Sequence, residues 1–204
     1  LRFYACGITP SNYTHMGHGR CYVLFDVFYR YLKSNGLDVK YCRNFTDIDD
    51  KMVQLAHDQL GDGRRYPEIA EHFINMYLED MEALNCLFPD YQPRATQVIP
   101  EIITFVEKLI AKGHAYEVDG DVYFSVRNFS RYGSLSKRKL DDLMAGARVE
   151  VDARKRDPLD FALWKSEPDG GYWDCPWGHG RPGWHIECSV MASKFLGESL
   201  DIHA

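Results

Sequence analysis

The first 45 residues alternate between β-favouring and helical patterns around a turn that contains glycine. Residues 2–6 are typical of a short strand, and residues 38–45 form a second extended segment. Between them, apolar side chains recur at helical spacing up to a stop at Gly36: Leu24, Val27, Phe28, Tyr31 and Leu32. Strand, turn, helix and strand make a βαβ unit, which nearly always crosses over right-handed into a parallel sheet. The sequence therefore predicts an α/β fold.

The turn before the helix carries two histidines around a glycine, His15-Met16-Gly17-His18. Because a helix begins here, free backbone N–H groups and the helix dipole favour a bound phosphate. Gly17 lets a ligand approach the backbone closely. Cys6, at the end of the preceding strand, faces the same crevice. The pattern predicts the nucleotide site of an ATP-using enzyme. The alternative is a histidine pair that only caps the helix.

Composition limits the class of protein. The chain has 204 residues, a formal net charge of −6 and 45% hydrophobic residues, which is typical of one folded domain with or without an insertion. No apolar run is long enough to cross a membrane. The six cysteines form no C-x-x-C pair, which indicates reduced thiols in the cytoplasm or an organelle matrix. The densest basic stretch, residues 137–156, also carries acidic side chains and is interpreted as a solvated face.

The sequence pattern changes along the rest of the chain. Helical spacing recurs in residues 73–84 and 102–110, and Asp119-Gly120 predicts a hairpin between two β-favouring segments. Residues 127–183 are rich in turns, glycine and proline, which indicates an α+β insertion. A helical pattern returns from residue 184, and a strand is predicted from residue 200.

Several blocks of sequence carry a family likeness, in order along the chain. They are CGIT at 6–9 with HMGH at 15–18, RNFTDIDDK at 43–51, PRAT at 93–96, GDVYF at 120–124, RDPLDFALWK at 156–165 and GRPGWHIECS at 180–189. Together they resemble the cysteinyl-tRNA synthetase family. The resemblance implies a Rossmann-like parallel sheet split by an α+β connective-peptide insertion. Residues 1–92 would then be the first half of the catalytic domain, residues 93–180 the insertion, and residues 181–204 the start of the second half.

The resemblance also implies an activity and its ligands. The family activates L-cysteine with ATP, accompanied by Mg²⁺, and transfers the cysteinyl group to tRNA(Cys). By this resemblance His15, Gly17 and His18 bind ATP, with both histidines catalytic, and Cys6 and Cys188 are zinc ligands. Zinc suits the task because a thiolate is a much better ligand than a serine hydroxyl. The alternative for Cys188 is a small buried apolar residue, which its helical spacing also allows.

Further positions match the cysteine pocket of the family. Thr46 would make a polar contact and Trp184 an aromatic wall, beside Cys6. A strand-end cap and core packing are the alternatives for these two residues. Asp47, Asp49 and Asp50 follow a strand and are interpreted as capping and turn residues rather than a magnesium cluster.

The chain departs from the family pattern at its end. The glycine-rich adenosine segment, the Lys-Met-Ser-Lys-Ser loop, the anticodon-binding region and the His-His-x-x-Glu that supplies two zinc ligands do not occur in it. We therefore expect these 204 residues alone to bind zinc weakly and to form no cysteinyl adenylate at a useful rate. Cysteine-dependent ATP–pyrophosphate exchange by this chain would refute that expectation. Two alternatives remain open: the cysteine ligase of mycothiol synthesis, and an inactive truncated paralogue that binds RNA.

Overall fold

The computed structural model describes residues 1–137, 140, 152–167, 172–183 and 185–204. Two compact units are formed, one from residues 1–98 and 188–204, the other from residues 99–187. Of the residues singled out by sequence, Trp184 and most of the basic stretch lie outside the described residues.

The first unit is built on a parallel sheet. Its strands β1 (Arg2–Ile8), β2 (Lys40–Phe45) and β8 (Ile202–His203) lie in the order β2-β1-β8. Tyr91 and Arg94 bridge the outer side of β2 in parallel, so residues 91–94 extend this sheet beyond β2. The predicted βαβ unit is confirmed, because the helix α1 (Met16–Ser34) joins the parallel strands β1 and β2.

Four of the described helices contribute residues to this unit. They are α1, α2 (Asp50–Leu60), α3 (Tyr66–Ala83) and α5 (Ile186–Leu196), the last of which enters the first unit at Cys188. Short 3₁₀ turns lie at Gly63–Arg65 and Ala95–Val98. One core cluster contains Ile8, Tyr22, Phe45, Ile74, Tyr77, Met81 and Cys86; the other contains Phe3, Ala5, Tyr29, Leu32, Val39 and Tyr41. No described helix is long and apolar enough to pass through a membrane.

Helix α1 forms as predicted, but most of the apolar stripe that predicts it faces away from the core. Leu24, Val27 and Tyr31 are 57–62% exposed. The buried positions are instead Tyr22, Asp26, Tyr29 and Leu32. The carboxylate of Asp26 accepts hydrogen bonds from the backbone N–H of Leu87 at 2.8 Å and from Nε of Arg30 at 2.7 Å. A carboxylate whose hydrogen bonds are made in this way can be buried on the core-facing side of a helix, and a hydrophobic pattern does not reveal it.

The second unit contains an antiparallel sheet in the order β3-β4-β5-β7-β6. The strands are β3 (Ala115–Val118), β4 (Asp121–Phe124), β5 (Phe161–Ser166), β6 (Trp173–Cys175) and β7 (Gly178–Pro182), and the helix α4 (Ile99–Ala111) precedes them. The predicted hairpin is confirmed: Asp119 and Gly120 both have positive φ and join β3 to β4. Buried Asp160 accepts from the Tyr116 hydroxyl at 2.7 Å and from the Val126 N–H at 2.9 Å.

Candidate active site

Two histidines cap the N-terminus of α1 reciprocally. Nδ1 of His15 accepts the backbone N–H of Gly17 at 3.0 Å, and Nδ1 of His18 accepts the backbone N–H of His15 at 3.3 Å. The two rings stack at 4.0 Å with 21° between their planes. The two histidines therefore do cap the helix, as the alternative interpretation of this motif predicts. The cap uses only Nδ1 of each imidazole.

The capping geometry fixes where each neutral ring carries its proton. Because Nδ1 is the acceptor in both rings, the proton of each neutral imidazole lies on Nε2, which remains free to donate. Burial, and next the charge that His15 can carry, lower the pKa of His18. Protonation of Nδ1 would place two donors against each other and break the cap. The caps therefore occupy both Nδ1 atoms and leave both Nε2 atoms available at a helix N-terminus.

A mostly polar cavity of about 610 Å³ opens beside these rings. It is lined by Gly7, Ile8, Thr9, Ser11, Asn12, Tyr13, His15, His18, Tyr22, Lys51 and Leu55. Two imidazoles, a lysine ammonium and the positive end of the α1 dipole thus border one space. Such a set of donors and positive charge favours an anionic ligand. Lys51 was not singled out by sequence, because an exposed lysine in a helix is ordinary.

The lack of a side chain at Gly17 has a structural consequence in the cap. A Cβ added there would lie 2.8 Å from Cε1 and 3.0 Å from Nδ1 of His15. The missing side chain therefore makes room for the capping imidazole.

Cys6 and Cys188 meet in the first unit, although 182 positions separate them in sequence. Cys6 lies near the end of β1 and Cys188 in the first turn of α5, and their sulfur atoms are 3.6 Å apart. This separation excludes a disulfide, whose sulfur atoms lie about 2.05 Å apart. Two thiolates on one tetrahedral zinc, each bound at about 2.3 Å, lie about 3.8 Å apart. Among the described residues, no group of three or more metal-ligating side chains is found.

An irregularity in β1 accompanies the placement of Cys6. Ala5 pairs with Arg43 and Ile8 with Phe45, so β1 has one more residue than β2 between these pairs, a bulge at Cys6-Gly7. A Cβ on Gly7 would lie 1.5 Å from the carbonyl oxygen of Asn44. Only glycine permits the backbone to approach β2 this closely. Gly7 also lines the cavity, so the thiol pair and the anion-binding wall adjoin along β1.

Asn44 connects these parts, and the sequence analysis missed it. Its Oδ1 accepts the Tyr4 hydroxyl at 2.9 Å and the Gly7 N–H at 3.0 Å, and it lies 4.0 Å from Sγ of Cys188. Its Nδ2 donates to Oγ1 of Thr46 at 3.2 Å. Thr46, predicted as a pocket residue, is buried here, and its N–H donates to Ile8. A fully buried amide that serves strand pairing gives no signal in sequence.

Two of the three acidic residues after β2, Asp47 and Asp49, accept backbone hydrogen bonds, which agrees with the capping and turn chemistry expected of them. Asp47 accepts both the N–H and the hydroxyl of Thr96, at 3.0 Å and 2.6 Å. Asp49 caps α2 by accepting the N–H of Met52 at 3.1 Å. Asp50 lies in the first turn of α2.

With the geometry established, comparison with known proteins identifies the family. The model of the class I (C) tRNA synthetase catalytic domain matches residues 1–204. The chain belongs to this family. The synthetase domain is 54% identical over 205 residues to a cysteine–tRNA ligase of Anoxybacillus flavithermus, covering 100% of the chain and 43% of that relative. It is 52% identical to the cysteine–tRNA ligase of Geobacter sulfurreducens, covering 100% of the chain and 42% of the relative. The chain thus spans less than half the length of these relatives.

A solved structure supports the fold of the synthetase domain. It resembles Mycobacterium tuberculosis methionyl-tRNA synthetase bound by methionyl-adenylate, with a TM-score of 0.64, 13% identity, 97% of this chain covered and 47% of that one. The predicted α/β class, with a Rossmann-like parallel sheet of the class I synthetases, is confirmed.

Proposed function

We propose that this synthetase domain is part of a cysteine–tRNA ligase, which activates L-cysteine with ATP and transfers it to tRNA(Cys). The observation that carries the proposal is the pair of thiols of Cys6 and Cys188, 3.6 Å apart, with Cys6 next to Gly7, which lines the cavity beside the histidine cap. Cysteine–tRNA ligases at 52–54% identity support it. The catalytic domain would comprise residues 1–92 and 181–204, and residues 93–180 would be the connective-peptide insertion. We place the enzyme in the cytoplasm.

The nucleotide would occupy the cavity beside the histidine cap. Nε2–H of His15 and of His18 would donate to the phosphates of ATP, bound with Mg²⁺, where negative charge develops in adenylate formation. Donors held in place before the reaction stabilise such charge, and loss of one typically lowers the rate by about 10²–10³-fold. Because the caps already orient both rings, binding ATP requires no rearrangement of the imidazoles.

Cys6 and Cys188 would hold a zinc ion. The fit rests on the separation of the two sulfur atoms and on their thiol chemistry, which zinc prefers. When bound, zinc would coordinate the substrate thiol and so distinguish cysteine from serine, which an apolar pocket alone does poorly. Asn44, whose amide oxygen lies near Cys188, would position that ligand. Thr46 and Trp184 would line the pocket, and residues downstream of this chain would complete the metal site.

The test is cysteine-dependent ATP–pyrophosphate exchange by the full-length gene product. We expect exchange with cysteine and a signal with serine lower by a factor of 10⁴ or more, as a site built around one substrate group achieves. Exchange with serine at a similar rate would contradict the proposal. Supplying tRNA or the glucosamine-inositol acceptor of mycothiol synthesis then identifies the acceptor, and transfer to the amino sugar alone would replace the proposal with that ligase.

A further inference from the structure

Arg43 is an unusual occupant of the core of the first unit. It lies on β2, two residues from Tyr41 and from Phe45 and on the same side of the strand, and is only 2% exposed. Its guanidinium carbon lies 4.7 Å from the centre of the Tyr22 ring, 5.3 Å from that of Tyr77 and 5.9 Å from that of Tyr41. Nε and one Nη atom have no hydrogen-bond partner. No described carboxylate forms an ion pair with it.

The tyrosines around Arg43 supply no counter-charge. Burial raises the pKa of Tyr41 to about 12, and raises those of Tyr22 and Tyr77 further, against the opposing effect of the Arg43 charge. All three phenols are therefore neutral at physiological pH, and the guanidinium lies against their ring faces, which attract a cation. A buried charge held this way is expensive compared with an apolar side chain of similar size. Packing does not account for its presence.

The charge lies against a residue that lines the proposed nucleotide cavity. Tyr22 lines that cavity, and the guanidinium contacts the Tyr22 ring. The Tyr22 ring is also nearly parallel to that of His18, with 6.4 Å between centres and 9° between planes. One aromatic ring that borders the cavity is thus also in contact with the guanidinium. Because Arg43 is buried, its charge is screened less by water and salt than that of an exposed arginine.

We propose that Arg43 is a positioning residue for the phosphates of the bound nucleotide, supplying a fixed positive charge through the Tyr22 ring. It touches no ligand itself. The synthetase domain retains the charge despite its burial because the charge strengthens binding of an anion beside the His15–His18 cap. The inference depends on the proposed function only in naming that anion as ATP.

The test separates the effect of the Arg43 charge from the effect of the shape of its side chain. In the full-length gene product, Arg43→Met removes the charge and keeps an extended side chain, Arg43→Lys keeps the charge, and Tyr77→Phe alters the ring cage without changing charge. Affinities for ATP, inorganic triphosphate and adenosine are measured by calorimetry, and stability by thermal unfolding. Arg43→Gln serves as the uncharged variant if Arg43→Met does not fold.

We expect Arg43→Met to lose about tenfold in affinity for ATP and triphosphate, from one charge acting at close range through protein. Adenosine affinity, and ATP affinity in Arg43→Lys and Tyr77→Phe, should change less than twofold. The melting temperature of Arg43→Met should equal or exceed that of the wild type, because a buried charge is removed. A purely structural arginine predicts the reverse: a lower melting temperature and an unchanged ratio of ATP to adenosine affinity.

An unchanged ratio in the uncharged variant overturns the inference, and so does a wild-type full-length protein that binds neither ATP nor triphosphate. Failure of the proposed function has a different signature. If the wild type binds triphosphate in an Arg43-dependent manner but the full-length gene product does not activate cysteine, the electrostatic role stands and the assigned reaction is wrong.

Discussion

Replacement of His15 by asparagine separates the two roles of this residue. Nδ1 of His15 accepts the N–H of Gly17 at 3.0 Å as the N-cap of α1, while Nε2–H is proposed to donate to ATP. Asparagine is among the best N-cap residues, so its side-chain oxygen should take over the cap. It cannot place a donor where Nε2–H lies. Alanine removes both functions and is the matched control.

The expected magnitudes differ clearly between the two variants. Loss of an N-cap costs about 1 kcal/mol, and in a protein of this size that corresponds to a melting temperature lower by roughly 2–4 °C. His15→Ala should show this decrease and His15→Asn should not. Both variants should lose about 10²–10³-fold in the rate of adenylate formation, because both lack the phosphate donor.

Differential scanning calorimetry of the 204-residue chain measures the first effect, and ATP–pyrophosphate exchange on the full-length gene product measures the second. A His15→Asn variant that keeps exchange within threefold of the wild type would refute the catalytic role and leave His15 as a helix cap. A His15→Ala variant with the same melting temperature as the wild type would refute the claim that the His15 cap stabilises the protein.

Three other perturbations test the surrounding structure. Gly7→Ala should destabilise the chain by more than about 3 kcal/mol in urea titrations, since its Cβ would overlap the Asn44 carbonyl; an unchanged midpoint would show that β1 can move. Asn44→Leu leaves the Tyr4 hydroxyl and the Gly7 N–H without their partner, at about 1–3 kcal/mol each, whereas Asn44→Asp should cost less; equal losses would contradict this. Folding lowers the pKa of His18. Its neutral imidazole therefore contributes to stability above the unfolded pKa, and this contribution is lost as the pH falls through the lower, folded pKa. From pH 7.5 to pH 5, the melting temperature of the wild type should therefore fall relative to that of His18→Asn. A difference that stays constant would be inconsistent with the cap.

The local pattern predicts much of the fold. The βαβ unit follows from alternating periodicities around the His15–His18 turn, and the hairpin follows from Asp119-Gly120, where both residues must adopt positive φ. These features depend on neighbours in sequence, which a single chain displays directly. Residues 50–60 received no assignment, because α2 buries only Met52 and Ala56 and so shows little apolar periodicity.

The site was only partly predictable, for a physical reason. Cys6 and Cys188 were found through their motifs, and the fold brings their sulfur atoms together. Asn44 and Arg43 were missed as individual residues because their roles depend on long-range placement. One is a buried amide joined to two strands, and the other a buried cation among rings from α1, β2 and α3. Polar residues on a strand of alternating pattern give no sign of which neighbours will enclose them.

Metal binding by the full-length gene product tests the central claim most directly. Zinc content and the sulfur-to-cobalt charge-transfer absorption of the Co²⁺-substituted protein are compared in the wild type, Cys6→Ser and Cys188→Ser. Cys175→Ser, a thiol of the second unit, is the control. The account predicts one metal per chain, weaker thiolate absorption and lost affinity in each of the first two variants, and no change in the control. Full metal content and undiminished absorption in both Cys6→Ser and Cys188→Ser would contradict it.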